Sequence, residues 1–527
     1  MSILSDLQST AIREVDRMIP EMSEFHLLIW GFAESAWREY RSAAAYVERL
    51  REEGFDVEAG SGGMPTAFHA VWGDEGPEIG MYAEYDAVPG YSQEAVPYRK
   101  PRQGFHPWAP GHTDAHCALG VGALSAAIST KRALQKCRTS AKIHIWGEPA
   151  EKVCGSKAVH AAKGYYNDLD AAISYHPLWL NSAIRDVTNC LYWSAVFTFQ
   201  CTESEPWVRG LVDNPAAGSH NDVRSPGALD AVTLMVTATK YTKENMYPRT
   251  GFWSLNEALL PSGQATSDNL PPRFAQIQYS WRSPLMEIQE QILSVLQRNA
   301  RHAAGLANCD VSMRWVTKTR PGLPNHVMTD ALYRNLGAVG PPVFGREVFD
   351  FAKQLALAAG LEHREQPFMP ANLVLTTPQQ HDADQRANLP PWQECTGADD
   401  YTEYTWHCPT VRFYTAKPFL YGLGNRLWHW ANNAMNGLPA AIDPTWTSGG
   451  KTIAATAIEL IENSVLLEEA KHEYEGRLAR LDCAQYVEPL LPSDFAPPVD
   501  LPWPEYINTP RGFEWQLPTT DNFGERL

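Results

Sequence analysis

A chain of 527 residues exceeds what one ordinary hydrophobic core organises, so two or three domains are expected. Apolar residues at 44% and charged residues at 20% describe a folded globular chain rather than a disordered one. The 44 basic against 61 acidic residues leave a net charge of −17, which argues against nucleic acid or an anionic membrane surface as the main partner, and no apolar run reaches bilayer-spanning length.

The N-terminal stretch MSILSDLQSTAIREVDRM lacks the basic-then-apolar order of a secretory signal, and a cytoplasmic location is expected. Nine cysteines lie scattered without a CxxC pair. An odd count fits reduced, mostly buried thiols better than a disulfide framework. Most of the eighteen tryptophans belong to the core, although an excess of large flat side chains also suits a pocket for an aromatic ligand.

Residues 5–53 predict helices: Ala43, Val47 and Leu50 share one face, and Gly54 follows as a stop. A turn at Gly60-Ser-Gly-Gly63 leads to two short apolar runs, Ala67 to Trp72 and Glu78 to Glu84, bounded by Gly and Pro as buried strands are. The second opens into Glu84-Tyr-Asp-Ala-Val-Pro-Gly90, where Glu84 is expected to do no more than form a salt bridge. Next, Pro110-Gly-His-Thr-Asp-Ala-His-Cys-Ala-Leu-Gly120 packs His112, Asp114 and His116 ahead of a helical run whose Val121, Leu124 and Ile128 mark an amphipathic face. Imidazole and carboxylate two residues apart in an extended loop lie within reach of one divalent cation. The competing reading is a polar loop in which the histidines cap a helix and Asp114 forms an ion pair.

A strand, Ala141 to Trp146, ends in Gly147-Glu-Pro-Ala-Glu-Lys-Val-Cys-Gly-Ser156. A helix near 157–163 follows, then a strand, Ala171 to Tyr175, ending in His176-Pro177. Strands alternating with helices imply a largely parallel sheet, which binds ligands beyond the carboxyl ends of its strands. Asp86, Glu151 and His176 each sit at such an end, with the 112–116 loop between them. Independent strand ends converging on metal-ligand residue types tip the balance towards a metal site.

From Cys190 the pattern changes. Strands over Leu191 to Cys201, Ala275 to Arg282 and Asp310 to Thr317 alternate with helices over Pro226 to Met246 and Met286 to Gly305, as in a small α+β module inserted into an α/β domain, with linkers near 186–190 and 318–325. The α/β pattern resumes with a helix, Gly345 to Gly360, then Gly397-Ala-Asp-Asp-Tyr-Thr-Glu403, a strand, Thr410 to Tyr414, a loop carrying His429, and a closing helix near Lys451 to Glu475. Residues 487–527, rich in Pro, Trp and acidic groups, read as an extended tail lying on the body.

Glu84-Tyr-Asp-Ala-Val-Pro-Gly90, Pro110-Gly-His-Thr-Asp-Ala-His116, Glu148-Pro-Ala-Glu151, Tyr175-His-Pro177, Gly227-Ala-Leu-Asp-Ala-Val232 and Asp268-Asn-Leu-Pro271 stand in the order found in the aminoacylase and aminobenzoyl-glutamate hydrolase branch of the metallo-carboxypeptidase family. The chain resembles that family over about residues 20 to 475. The resemblance implies a zinc-aminopeptidase-like α/β catalytic domain, residues 1–189 and 323–480, with an inserted ferredoxin-like dimerisation lid, 190–322, and a C-terminal extension, 481–527. It also implies divalent-metal hydrolysis of a C–N bond. By the resemblance, Asp114 matches a bridging ligand that is cysteine in many members of the branch; His116 and His176 match ligands of one metal, and His429 a late histidine of the second. Glu151 matches the general base, and His220 and Asn269 match lid residues that reach an active site across the dimer to hold the substrate or the oxyanion.

Lys152 departs from the pattern, because the family usually has a second glutamate here that holds the second metal. A protonated amine does not ligate, and it repels a cation. One divalent transition metal, Mn or Zn, is therefore expected on Asp114, His116 and His176, with His112 as an alternative ligand and His429 left to bind substrate or complete a weak site. Three protein ligands leave the open position that hydrolysis needs. Glu151 is then the group that takes a proton from activated water and passes it to the leaving nitrogen, and Asp86 the group that orients a ligand histidine. For Glu151 alone, a carboxylate stabilised at a helix N-terminus is the rival account; for His220, a helix cap. Arg224, Arg282 and Arg426 are candidates to pair with a substrate carboxylate, with Lys152 as a further substrate contact.

An ortho-amino aromatic acid chelated to one metal is open to attack at the ring carbon, and the chain also resembles the deaminating members of the family. The first expectation is thus deamination of 5-nitroanthranilate to 5-nitrosalicylate and ammonia. The alternatives are cleavage of aromatic N-acyl amino acids such as aminobenzoyl-glutamate, and a non-catalytic binding or scaffold protein that has lost a metal ligand. The expected assembly is a homo-oligomer built on a lid-mediated dimer, acting on a small aromatic acid, with no nucleic acid or membrane partner.

Overall fold

The computed structural model describes residues 4–202, 224–247, 253–262, 270–424, 427–510 and 512–515. Two helices open it: α1 (Asp6–Phe32), started by a capping box in which Ser5 and Gln8 satisfy each other's backbone N–H, and α2 (Tyr40–Glu52). Then come β1 (Asp56–Ala59), β2 (Phe68–Trp72), β3 (Glu78–Ala83), α3 (His116–Cys137), β4 (Lys142–Gly147), α4 (Ser156–Ala162), β5 (Ala171–Leu178) and β6 (Ser182–Ala183). An insertion carries β7 (Thr188–Gln200), α5 (Ala228–Asn245), β8 (Ser254–Ser262), β9 (Phe274–Ser283), α6 (Met286–Leu306) and β10 (Asp310–Lys318). After it follow α7 (His326–Val339), α8 (Arg346–Ala358), α9 (Pro378–Arg386), β11 (Cys395–Ala398), β12 (Thr410–Ala416), α10 (Trp430–Asn436), α11 (Pro439–Glu462) and α12 (Ser464–Leu478).

Seven strands form the sheet that carries the site, in the order β1-β2-β4-β3-β5-β12-β6. Only its centre is parallel: β4, β3, β5 and β12 run together, while β1, β2 and β6 pair antiparallel. The largely parallel sheet expected from alternation is therefore mixed, because β1, β2 and β3 follow one another with no crossover helix to make them parallel. The carboxyl ends of β3 and β4 lead directly into Glu84 and Asp86 and into Glu148 to Glu151, and His176 and Pro177 lie in the last residues of β5.

The helix α3 lies across β3, β4 and β5, with α11 beside it and α1 covering both. It is buried on every side rather than amphipathic, as the spacing of Val121, Leu124 and Ile128 predicts, because Gly120, Gly122, Ala123 and Ala126 let layers close on it from all round. A Cβ added at Gly122 would lie 2.8 Å from the Tyr175 ring. The single closing helix expected near 451–475 is two, α11 and α12; Asn463 breaks it and caps α12 by accepting from the Leu466 N–H.

In the insertion, four antiparallel strands in the order β10-β7-β9-β8 carry α5 and α6, around a core that includes Trp193, Phe197, Ile277, Trp281 and Leu296. The strand β11, from the later part of the chain, joins this sheet by pairing parallel with β7. The tail lies on the body as far as it is described. Leu491, Leu501 and Trp503 share one apolar cluster with Trp37, Met64 and Ala150, and Arg38 donates to the carbonyls of Val499 and Leu501. Among the described residues, no helix is long and apolar enough to cross a membrane.

Candidate metal centre

The loop that enters α3 is pinned by two buried donors: Lys417 Nζ reaches the Thr113 carbonyl at 2.8 Å, and Asn436 Nδ2 the His112 carbonyl at 2.7 Å. His116 opens the helix, and its ring is fixed from behind by Asp86, whose Oδ1 lies 2.6 Å from Nδ1. The other oxygen of Asp86 accepts from the Lys152 backbone N–H at 2.9 Å, so one carboxylate joins the start of α3 to the turn after β4. With Nδ1 engaged by a carboxylate, Nε2 is the ring atom turned towards the remaining acids. It lies 3.3 Å from Glu84 Oε2, 3.3 Å from Glu151 Oε2 and 3.7 Å from Asp114 Oδ2.

His176 is set the same way. Its Nδ1–H donates to the Pro177 carbonyl at 2.7 Å, leaving Nε2 at 3.5 Å from Asp114 Oδ1, and burial drives its pKa down to about 4. A neutral ring with a free lone pair is the form that ligates.

Glu84 Oε2, Asp114 Oδ1 and His116 Nε2 are buried without a hydrogen-bond partner. Leaving such groups unsatisfied costs on the order of 1–3 kcal/mol each, more when charged. Ligand atoms of Glu84, His116 and His176, and likewise of Asp114, His116 and Glu151, lie within 4.8 Å of one another. Burial and Lys152 act to lower the His116 pKa, yet Asp86 and Glu84 carry it up to about 9. The surrounding carboxylates thus call for positive charge at Nε2, and a nitrogen-and-oxygen donor set of this kind fits a divalent transition metal.

Glu151 and Lys152 follow Ala150, which is left-handed at φ 58° and ψ 35°. Such a conformation costs a non-glycine residue on the order of 1–3 kcal/mol and persists only when its surroundings fix it. Here Glu39, a buried carboxylate, does so by accepting from the Ala150 N–H at 2.8 Å. The turn directs both following side chains inward. Lys152 Nζ lies 2.5 Å from Glu151 Oε2 and 2.9 Å from Asp114 Oδ2, with the Trp428 ring centre 5.2 Å away. Burial acts to lower the Lys152 pKa, but Asp114 and Glu151 hold it well above the usual range, so the group is an ammonium. The same contact acts on Glu151: burial raises its pKa, and Lys152 and His116 more than reverse this.

A second charged layer stands behind this one, and sequence reasoning missed it. Lys157 Nζ, fully buried, lies 2.7 Å from Glu84 Oε1 and 2.6 Å from Asp400 Oδ1. Arg412, on β12, pairs with Asp399 and donates to Tyr82 Oη at 2.6 Å and Ser174 Oγ at 2.8 Å. Glu84 forms the expected salt bridge, to Lys157, through one oxygen, and its other oxygen faces His116 and belongs to a candidate ligand group. A signal was present, in the adjacent acids of Gly397-Ala-Asp-Asp-Tyr401 ahead of a buried strand and in a lysine in the first turn of α4.

His112 points elsewhere. Its Nε2 meets the Ile29 carbonyl at 3.3 Å, burial lowers its pKa to about 3, and it joins neither ligand cluster. His429 caps α10, its Nδ1 accepting from the Ala431 N–H at 3.2 Å, and this segment reaches Lys152 through the neighbouring Trp428 instead. Arg224 is committed to both oxygens of Asp230, at 2.6 and 3.0 Å, which removes it as a substrate clamp. Arg282 stacks over Tyr192 at 4.6 Å, with no carboxylate paired to it among the described residues. His220, Asn269 and Arg426 lie outside the described residues.

No profile of a known protein family matches the chain. It is 26% identical over 459 residues to a p-aminobenzoyl-glutamate hydrolase polypeptide of Escherichia coli (strain K12), spanning 85% of this chain and 90% of that protein. With Xaa-Arg dipeptidase of Mus musculus it shares 24% identity over 329 residues, 58% of this chain and 65% of that protein. The crystal structure of aminobenzoyl-glutamate utilization protein from Klebsiella pneumoniae superposes with a TM-score of 0.50 at 14% identity, over 82% of this chain and 98% of that one, a likeness of fold.

Proposed function

We infer the reaction from one premise: this chain belongs to the aminobenzoyl-glutamate hydrolase family of metallopeptidases and is a metal-dependent amidohydrolase. The proposed reaction is cleavage of the amide C–N bond of an aromatic N-acyl amino acid, aminobenzoyl-glutamate foremost. The observation that supports it is the gathering of Glu84 Oε2, Glu151 Oε2 and Asp114 Oδ2 at 3.3, 3.3 and 3.7 Å from His116 Nε2, with Glu84 Oε2 and His116 Nε2 buried and without a hydrogen-bond partner.

Asp114, 3.7 Å from His116 Nε2 and 3.5 Å from His176 Nε2, is the proposed holder of a single Mn or Zn ion together with those two histidines, and Glu84 groups with the same pair. When bound, such an ion supplies Lewis-acid chemistry, polarising the scissile carbonyl and acidifying water. Glu151 takes the proton of the attacking water and returns it to the leaving nitrogen, a role typically contributing about 10² to 10⁴ in rate. Lys152 keeps that carboxylate ionised until the proton arrives and supplies fixed positive charge where the second ion of a dinuclear centre would carry its own. Asp86 holds His116 in the ligating tautomer. Trp428, half exposed beside Lys152, offers a flat face to the aromatic acyl group, and Arg282 a partner for the substrate carboxylate. The proposed assembly is a homodimer through the inserted sheet, where Leu234 and Tyr241 of α5 and Leu259 of the edge strand β8 are exposed.

The Lys152 ammonium favours a second reading. A one-metal centre suits a chelating ortho-amino acid, and 5-nitroanthranilate would then give 5-nitrosalicylate and ammonia. Purified protein loaded with Mn or Zn and offered each compound separately distinguishes the two. Release of p-aminobenzoate supports the first and ammonia the second. Neither product from fully metal-loaded protein would leave a binding or scaffold role.

A further inference from the structure

The sulfur atoms of Cys190 and Cys395 lie 2.6 Å apart, although the two residues are 205 positions apart in the chain. That separation is closer than ordinary contact between two thiols, and about half an ångström beyond the S–S bond of about 2.05 Å. Strand pairing puts them there. The parallel ladder of β11 on β7 matches Cys395 with Thr188 and Ala398 with Cys190, and an irregularity between those pairs brings the cysteine side chains together. The two cysteines are offset along the ladder rather than directly opposite, and their side chains close the gap between the adjacent strands.

We propose that Cys190 and Cys395 form a reversible disulfide that clamps the inserted antiparallel sheet to the α/β body. Cys190 sits near the start of β7, where the chain leaves the main sheet for the insertion, and β11 leads straight into Asp399 and Asp400. Those two acids hold Arg412 and Lys157, and Lys157 in turn holds Glu84. The bond therefore closes both the hinge of the insertion and the base of the segment that supports the metal centre. Its assignment rests on the sulfur geometry and is independent of the substrate proposed above.

The two sulfurs differ in access. Both are buried, but Cys190 completely, while Cys395, 5% exposed, borders a cavity of about 630 Å³ together with Thr188, Trp392, Gln393 and Cys483. A small-molecule disulfide such as glutathione disulfide enters from that side. The Cys395 thiolate attacks one of its sulfurs and releases one small thiol; the Cys190 thiol then loses its proton, attacks Cys395 Sγ, and displaces the second. Two protein thiols are oxidised, one small disulfide is reduced to two thiols, and the two protons end on those thiols.

The test uses the full chain, equilibrated with glutathione disulfide, unfolded, alkylated and digested without reduction for peptide mass mapping. The expected result is a cross-linked pair of peptides carrying Cys190 and Cys395, lost on treatment with dithiothreitol, and a melting temperature that rises by a few degrees on oxidation. Cys190→Ser and Cys395→Ser each abolish the cross-link and the rise. Both cysteines found alkylated after oxidation, or Cys395 found joined to Cys483 or to glutathione, would overturn the proposal. The mapping is read on the wild-type chain, so a variant that fails to fold leaves the test intact.

Discussion

Lys152 Nζ donates to Asp114 Oδ2 at 2.9 Å, so a cation supplied by the chain already rests on the carboxylate that family resemblance assigns to bridge two metals. A second ion at this place would meet like charge at short range in a site largely closed to water, where such repulsion is screened weakly. Lys152→Glu reverses the sign. Metal content after dialysis is expected to rise from the one divalent ion per chain proposed above towards two, and an unchanged stoichiometry would refute the idea that the ammonium replaces an ion.

Glu151 lies 3.3 Å from His116 Nε2, inside the ring of candidate ligands but on a separate turn. If it carries the proton, Glu151→Gln lowers kcat by about 10² to 10⁴ with metal content and melting temperature little changed. A parallel fall in bound metal would make it a ligand instead.

Asp86 holds two things at once, the His116 ring and the Lys152 backbone. Asp86→Asn retains the shape but weakens the acceptor for the Nδ1 proton. Affinity for the metal is expected to fall about 10- to 100-fold, measured by competition with a chelator, as for other carboxylates that orient a ligating histidine.

Glu148 gives a prediction on pH. Burial acts to raise its pKa, but His160, 3.0 Å from both oxygens, and then Lys157 and Tyr166 take it from 4.5 down to about 2. A depressed folded-state pKa stabilises fully above the unfolded value and is lost as pH falls through the folded one, so this contribution disappears between about pH 4.5 and 2. It is on the order of 3 kcal/mol. Denaturant titrations stepped down through that window should show the wild-type advantage over Glu148→Gln shrinking; a constant gap would contradict the linkage.

The sequence made the strand ends legible because each closes a short apolar run and opens into acids or histidine, which is how Asp86, Glu151 and His176 could be placed before the fold was seen. It could not choose between His112 and His116. That choice depends on Ile29 offering a carbonyl to one and Asp86 a carboxylate to the other, contacts 83 and 30 positions away. Glu84 was underrated for the same reason, since Lys157 and Asp400 decide which of its oxygens is left over. The helix α3 looked amphipathic because periodicity records one buried face and says nothing of a second layer closing on the other.

Leu491, Leu501 and Trp503 share a cluster with Ala150, and Ser35 donates to the Pro504 carbonyl from 469 positions upstream. Translation therefore delivers this brace late. A nascent chain that has already formed both sheets and gathered its candidate ligands still has no wall behind the turn bearing Glu151, and a protease that clips the chain ahead of Leu491 is expected to return it to that unfinished condition, with the candidate ligands assembled and Glu151 loosely set.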